Sequence, residues 1–172
     1  GEVMLHRRNW IGGWAGLLVL AVAGVAQSDG GQLHVLLLSG QNNHNWKTTT
    51  PIIQQVLENS GRFTVTVTEH PESLTAEALH GVNVIVSNWN CFHRDTPPAV
   101  IEWPAAARQA VVEFVRNGGG FVTVHAGGSS FYKRPWPEHD ELVIAKYGFD
   151  RTAHGAQHIF NVQIEAPEHP IM

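Results

Sequence analysis

The chain has 172 residues and a formal net charge of −4 at pH 7, from 11 Lys and Arg against 15 Asp and Glu. Without a basic run, this acidic balance argues against nucleic acid as a partner. The only cysteine, Cys91, leaves no pair for a disulfide framework.

Residues 1–26 are predicted to be an export signal. A basic stretch containing Arg7 and Arg8 precedes an apolar run from Trp14 to Ala26, which ends in a small residue suited to cleavage. We therefore expect an exported protein, periplasmic or secreted. The alternative is an uncleaved membrane anchor, although the apolar run is shorter than the ~20 residues that span a bilayer. A membrane would then be a partner through this segment only.

Strands and helices are predicted to alternate in the next part of the chain. Leu33–Ser39 is a nearly continuous apolar run, typical of a strand buried on both faces of a parallel sheet. Thr50 and Pro51 indicate the start of a helix that Gly61 can end. A β-branched strand, a short helix and a third strand are then predicted at Phe63–Thr68, Thr75–His80 and Val82–Ser87.

The strongest helix signal precedes a fourth strand. Apolar residues recur on one face of this helix, and Gly118 is placed as its C-terminal cap before the strand Phe121–Val124. The apolar residues are Ala107, Ala110, Val111, Phe114 and Val115. This alternation predicts an α/β fold, a three-layer, doubly wound and mostly parallel sheet with helices on both faces.

The last part of the chain has a weaker pattern. Asp140–Tyr147 indicates a short helix, and Phe160, Val162 and Ile164 alternate with polar residues like a half-solvated strand. The sequence stops at Met172 without a closing element, so we expect the natural protein to continue.

The segment Gly118–Gly128, GGGFVTVHAGG, has the layout of a strand-to-turn elbow. Many α/β enzymes project a Ser or Cys nucleophile from such an elbow, at the carboxyl end of a central strand. Here the projecting residue is His125, followed by residues of little bulk. An imidazole is suited to acid/base chemistry or to metal binding.

Three loops should converge at the edge of the sheet that carries this elbow, because open α/β sheets bind ligands at the carboxyl ends of their strands. Each loop contributes a histidine, His44, His93 or His125. Trp46 and Trp89 are expected to stack against a sugar ring. The residues expected to contact a substrate are Trp46, Asn88, Trp89, Gly127 and Ser129.

Other chemistries are conceivable for residues in the same region. His154 and His158 have the i, i+4 spacing of metal ligands, but Gly155 argues against a helix there, so a loop would have to present them. A thiol enzyme would use Cys91 with His93, although proximity in sequence does not activate a thiol. A serine esterase is disfavoured because no Gly-x-Ser-x-Gly motif occurs.

Four segments together resemble the ThuA-like (trehalose utilisation) family. They are VLLLSGQNNHNW, NVIVSNWN, GGGFVTVHAGGSSF and HGAQHIFNVQIEAPEHPIM, and the resemblance covers residues 33–172. It implies a class I glutamine amidotransferase-like (flavodoxin-like) fold, here incomplete at its C-terminus, because such proteins continue into a further acidic and aromatic motif. That superfamily carries a catalytic cysteine in the elbow, which His125 replaces, so glutaminase chemistry is not expected.

The resemblance also implies a role in carbohydrate catabolism. The expected substrates are keto-disaccharides or related glycosides, supplied by dehydrogenases and processed by a hydrolase, lyase or isomerase type of reaction. His125 and His44 would act as acid and base. A divalent metal such as zinc is the possible cofactor, with His154 and His158 as ligands. The alternative is a carbohydrate-binding domain without catalysis.

Overall fold

The computed structural model describes residues 31–91, 101–131, 136–143 and 155–169. The predicted export signal, His93 and His154 lie outside them. Of the helices in the described part, none combines the length and the apolar character needed to span a membrane. The elements are β1 (Leu33–Leu38), α1 (Trp46–Asn59), β2 (Phe63–Thr68), β3 (Val84–Ser87), α2 (Ala105–Arg116), β4 (Gly120–Thr123) and α3 (Pro137–Val143), with short 3-10 turns at Pro71–Ser73 and His125–Ser129.

The four strands form one parallel sheet in the order β2-β1-β3-β4. In the register of the sheet, Leu33 lies opposite Phe63, Val35 opposite Val84, and Val84 opposite Gly120. This is the flavodoxin-like order, in which the connections change direction between β1 and β3. The prediction of a doubly wound α/β fold is confirmed.

Helices cover both faces of the sheet and create two cores. On one face, Leu36, Leu38 and Ile85 pack with α2 and with a group of tryptophans. On the other face, Val35 and Leu37 pack against the apolar side of α1. Each fully buried aliphatic side chain contributes about 1.5–3 kcal/mol to folding, so these alternating strand residues hold the three layers together.

The face covered by α1 remains open beside β3 and β4. A groove of 570 Å³ runs there, lined only by apolar side chains that include Val84, Val86 and Val124. Val122 is 50% exposed on this face, whereas its neighbour Phe121 packs into the core that contains α2. Among the described residues, β4 is therefore held mainly from the α2 face.

Helix α1 begins earlier than the sequence predicts. The predicted start is at Thr50 and Pro51, but the helix begins at Trp46 and Pro51 lies inside it. The carbonyl of Asn45 accepts the first hydrogen bonds of the helix, from the backbone N–H groups of Thr48 at 3.1 Å and Thr49 at 3.0 Å. Pro51 has no N–H to donate, so the helix tolerates one missing bond to keep buried Thr50 against the strand ends.

Two other helix predictions need correction. Thr75–His80 is a turn and not a helix: the Leu79 amide reaches the carbonyl of Thr75 at 3.2 Å, and Gly81 reverses the chain with a φ of 78°. The helix predicted to begin at Asp140 begins at Pro137 and is described to Val143.

The strand predicted from Phe160, Val162 and Ile164 is not formed. Residues 155–169 have no strand assignment, and Phe160 and Val162 are 70% and 78% exposed. A strand needs a neighbour for its backbone groups, and the described structure places none beside this segment.

The end of α2 is formed as predicted. Gly118 has a φ of 97°. Its N–H donates to the carbonyl of Val115 at 2.9 Å, and the N–H of Gly119 donates to the carbonyl of Phe114 at 3.0 Å. This pair of bonds is a Schellman cap. A Cβ on Gly119 would lie 2.3 Å from the Phe114 ring, so this close approach also requires glycine.

Backbone strain marks the turn after β4. His125 has a φ of 49°, and within the described part of the chain it is the one non-glycine residue with a positive φ. The left-handed region costs a residue with a Cβ about 1–2 kcal/mol. The remaining structure must therefore hold His125 in place.

Substitution of Gly40 tests the close contact after β1. A Cβ there would lie 2.0 Å from the carbonyl oxygen of Glu69, and the φ of Gly40 is 94°. We expect Gly40→Ala to lower the free energy of unfolding by about 3 kcal/mol, because it adds a clash to backbone strain. Gly61, with a φ of 70° and no atom within 4 Å of an added Cβ, is the matched control. Gly61→Ala should lose about 1 kcal/mol, and equal losses in urea titrations would contradict the clash.

The strain at His125 can be measured by comparing two truncations. His125→Gly should be more stable than His125→Ala by about 1 kcal/mol, because only glycine adopts positive φ freely. Both variants lose the imidazole, so its contacts cancel in the comparison. At the exposed control His80, whose φ is not positive, Gly should be no more stable than Ala. Thermal unfolding of the four variants checks this, and an advantage of Ala over Gly at position 125 would refute it.

Candidate active site

The candidate site lies at the carboxyl ends of β1, β3 and β4. These strands are parallel neighbours, so the loops that follow them emerge at the same edge of the sheet. The change of connection direction between β1 and β3 opens a crevice there, which is where doubly wound sheets bind ligands.

His44 and His125 meet at this edge, although they are 81 residues apart in sequence. Their Nε2 atoms are 3.0 Å apart, and their ring centroids are separated by 4.8 Å with an interplanar angle of 44°. Both side chains are exposed to solvent. At this distance one Nε2 carries a proton and donates it while the other accepts, so the two Nε2 atoms together hold one proton and one lone pair.

The turn after β4 holds His125 against the end of β3. The Val124 amide donates to the carbonyl of Ser87 at 2.9 Å, and the Gly127 amide donates to that of Val124 at 2.9 Å. A Cβ on Gly127 would lie 2.8 Å from the carbonyl oxygen of Ser87. Gly127 therefore lets the turn approach β3 closely, and this residue is buried in the structure.

A network of buried side chains holds the loop with His44. The Asn42 Oδ1 accepts the His44 amide at 2.8 Å, and the Asn42 Nδ2 donates to the carbonyl of Asn88 at 2.5 Å. The Asn88 Nδ2 donates to the hydroxyls of Thr49 and Thr50, each at 3.0 Å. The Thr50 hydroxyl also lies 2.6 Å from that of Ser39.

The sequence pattern assigns no site role to Asn42 or Ser39, and it predicts Thr50 only as the start of a helix. Asn42 and Ser39 stand in SGQNNHNW, the polar cluster that directly follows an apolar strand. Such a cluster can signal side chains that satisfy the backbone groups of a tight loop. The partners of each group depend on tertiary contacts and cannot be read from the pattern.

Trp46 and Trp89 occupy different environments. Trp46 is half-buried at the start of α1, with the Lys47 Nζ 5.5 Å from its ring centroid. Trp89 is 1% exposed and packs against Trp103 and Phe131, with centroid distances of 5.3 and 5.5 Å. Its ring is therefore part of the core in this structure, and stacking of Trp89 on a sugar stays a prediction.

The other expected substrate contacts are also buried. Asn88 uses its side-chain amide within the protein, while Gly127 and Ser129 lie inside the turn. Of the predicted substrate residues, Trp46 alone has a partly accessible side chain. Substrate contact by Asn88, Gly127 or Ser129 stays a prediction that requires movement of the loop.

Of the two predicted metal ligands, only His158 lies in the described part of the chain, and there it does not join the histidine pair in a cluster of ligands. His158 is exposed and its Nδ1 lies 3.0 Å from the carbonyl oxygen of Ala156. His154 is outside the described part of the chain. Within that part, no three His, Cys, Asp or Glu side chains cluster as ligands of one ion. Ligation by His154 and His158 stays a prediction.

Cys91 and Ser130 join the loop after β3 to the turn after β4. The buried Cys91 thiol donates to the carbonyl of Ser130, and the Ser130 hydroxyl contacts the carbonyls of Trp89 and Gly127 at 3.0 and 2.7 Å. A buried thiol hydrogen-bonded in this way is typical of a structural cysteine. The geometry therefore favours the histidine pair over a thiol as the reactive group.

Comparisons with known proteins find a family and two solved structures to which the chain is similar. A family model described as trehalose utilisation, ThuA, matches residues 34–172. A crystal structure of a ThuA-like protein from Parabacteroides merdae is 32% identical, with a TM-score of 0.51 over 64% of this chain and 37% of that one. A ThuA-like protein from Bacteroides uniformis is 22% identical, with a TM-score of 0.46 over 63% of this chain and 42% of that one.

The chain thus spans less than half the length of either solved protein. A search of curated proteins finds no match. The family model covers most of the chain, including β1 from its second residue and the segments that carry both histidines of the pair. The chain therefore belongs to the ThuA, trehalose utilisation, family.

Proposed function

We propose that the protein is a carbohydrate-processing enzyme in which His44 and His125 act together as acid and base. The observation that carries the proposal is the 3.0 Å separation of their Nε2 atoms at the β1/β3 crevice. Membership of the trehalose utilisation family supports a carbohydrate substrate.

The pair has the chemical groups for a two-site proton transfer. When the pair is singly protonated, the Nε2 of the neutral imidazole accepts a proton from a carbon next to a keto group, while the imidazolium donates its Nε2 proton to an oxygen. That oxygen is the keto oxygen in an isomerisation, or the glycosidic oxygen in an elimination. One proton enters the pair and one leaves, so the pair stays singly protonated with the two roles exchanged. Because the two Nε2 atoms are 3.0 Å apart, they can exchange protons with neighbouring atoms of one sugar ring.

The proposed substrates are keto-disaccharides or related glycosides. A keto group makes the hydrogen on the adjacent carbon acidic enough for an imidazole to abstract it as a general base. Trp46, half-buried beside the loop that carries His44, is the proposed surface for a sugar ring.

A divalent metal such as zinc is a second way for these imidazoles to act. Zinc takes imidazole nitrogens at about 2.0–2.1 Å, which places two ligands of a tetrahedral ion about 3.3 Å apart. The observed 3.0 Å is close to this value, so His44 and His125 fit as two ligands. Such an ion would polarise a substrate carbonyl. Further ligation by His154 and His158 is part of this proposal.

Export is proposed on the basis of residues 1–26. The basic stretch followed by an apolar run supports it. Mass spectrometry of the protein recovered from cell fractions measures this. A periplasmic or secreted product that starts near residue 27 is expected, and an uncleaved cytoplasmic product would contradict export.

The test of the enzymatic role replaces each histidine with glutamine. His44→Gln and His125→Gln should each lower kcat on a keto-disaccharide made from trehalose by about 100-fold or more, because general acid–base groups contribute factors of this size. His80→Gln is the matched control, since His80 is exposed in the turn before β3, whereas the site lies at the carboxyl end of that strand. Product formation is followed by chromatography, with and without added zinc.

The outcomes separate the alternatives. Unchanged turnover in both glutamine variants would overturn the assignment of the pair. If the unsubstituted protein binds keto and ordinary disaccharides equally and forms no product, with or without zinc, the protein is a carbohydrate-binding domain and not an enzyme.

A further inference from the structure

We infer that Asn42 is a positioning residue that sets the separation of His44 and His125. The inference rests on the proposed function, because it assigns a role within the same site. It assigns a role to a buried amide that hydrogen-bonds the backbone of His44.

Asn42 uses both ends of its side-chain amide. Its Oδ1 accepts the backbone N–H of His44 at 2.8 Å, which fixes the turn two residues ahead. Its Nδ2 donates to the carbonyl oxygen of Asn88 at 2.5 Å and lies 3.3 Å from the Asn88 Oδ1. The side chain is 5% exposed, so water does not compete for these bonds.

Asn88, which accepts the hydrogen bond from Asn42, is itself held by several hydrogen bonds. Asn88 is 3% exposed, and its backbone N–H continues the sheet by donating to the carbonyl of Leu38 at 3.0 Å. Its side-chain Nδ2 is held by the hydroxyls of Thr49 and Thr50 on α1. The Asn88 carbonyl therefore has a fixed position relative to β1 and α1.

The end of β3 supports both histidines through neighbouring carbonyls. The Ser87 carbonyl accepts the amide of Val124, the residue before His125, at 2.9 Å. The Asn88 carbonyl accepts the side chain of Asn42, which holds His44. Two loops that are distant in sequence are thus anchored to one dipeptide. The loop of His125 uses a backbone bond. The loop of His44 is also tied to Asn90 through Gln41 and Asn43, but the Asn42 side chain is the bond that reaches the His44 amide itself.

An amide is the group that this position requires. Alanine would lose both bonds. Aspartate keeps an oxygen for the His44 amide but places a second oxygen 2.5 Å from the Asn88 carbonyl, where a donor stands in the natural side chain. The two substitutions therefore remove the link to β3 by different means.

The experiment compares Asn42→Ala and Asn42→Asp with the control Asn59→Ala, which removes an exposed amide from the other end of α1. We expect both Asn42 variants to lose about 10- to 100-fold in kcat, since a misplacement of about 1 Å in a catalytic group can cost 100-fold. KM should change little, because Asn42 is buried and leaves little surface for a substrate. The control should behave as the unsubstituted protein.

A spectroscopic reading separates positioning from a general loss of stability. Histidine labelled with ¹⁵N gives an NMR signal for the ring N–H shared between His44 and His125, which His44→Gln identifies by its absence. At a temperature where circular dichroism shows each protein folded, the Asn42 variants should lose this signal and Asn59→Ala should keep it. If Asn42→Ala fails to fold, Asn42→Asp, which preserves the side-chain size, decides the question.

The failures of the two proposals are distinct. Retention of both turnover and the shared ring N–H signal in a folded Asn42 variant, while His44→Gln is inactive, would overturn the positioning role and leave the acid–base pair intact. Full turnover in His44→Gln and His125→Gln would overturn the proposed function itself. The inference is supported if the Asn42 variants lose both turnover and the ring N–H signal while Asn59→Ala keeps both.

Discussion

The parallel pairing of β1 with β3 is the constraint on which the candidate site depends. It brings Leu38 and Ser87 into register, so the loop with His44 and the strand end that supports His125 start from neighbouring points. β4 then adds beside β3, with Thr123 opposite Ser87. No contact within either loop alone could place two residues 81 positions apart within hydrogen-bond distance. The site is thus a consequence of strand order.

Two features at this edge of the sheet, a strained backbone and buried polar groups, lower the stability of the fold. His125 occupies a left-handed conformation that costs about 1–2 kcal/mol for a residue with a Cβ. Buried amides and hydroxyls around Asn88 must all find partners, because an unsatisfied buried polar group costs about 1–3 kcal/mol. The apolar packing of the strands on α1 and α2 offsets these costs. Strain and buried polar networks of this kind cluster at functional sites.

Local patterns in the sequence are sufficient to predict most of the fold. The apolar run of β1, the β-branched run Phe63–Thr68 and the glycine cap of α2 each carry their signal within a few residues, and each lies close to its predicted bounds. The start of α1 differs from its prediction because Pro51 usually marks a first helical turn, whereas contacts of Thr50 with Ser39 favour a longer helix.

The sequence predicts where the candidate site lies better than it predicts the role of each residue there. Strand ends indicate where His44 and His125 lie, since parallel strands share an edge. Trp46 and Trp89 have the same chemistry and similar loop positions, and only tertiary packing makes one accessible and the other a core residue. The role of Asn42 depends on the carbonyl of Asn88, 46 residues away, which no local pattern encodes.

A double-substitution cycle on turnover tests most directly the claim that the two histidines work as one unit. Residues that act as a unit are strongly non-additive in their effects on kcat. The protein with both His44→Gln and His125→Gln should therefore have about the same kcat on the keto-disaccharide as the single variant with the lower kcat. A kcat lowered by the product of the two single effects would show that the histidines act independently and would contradict the account.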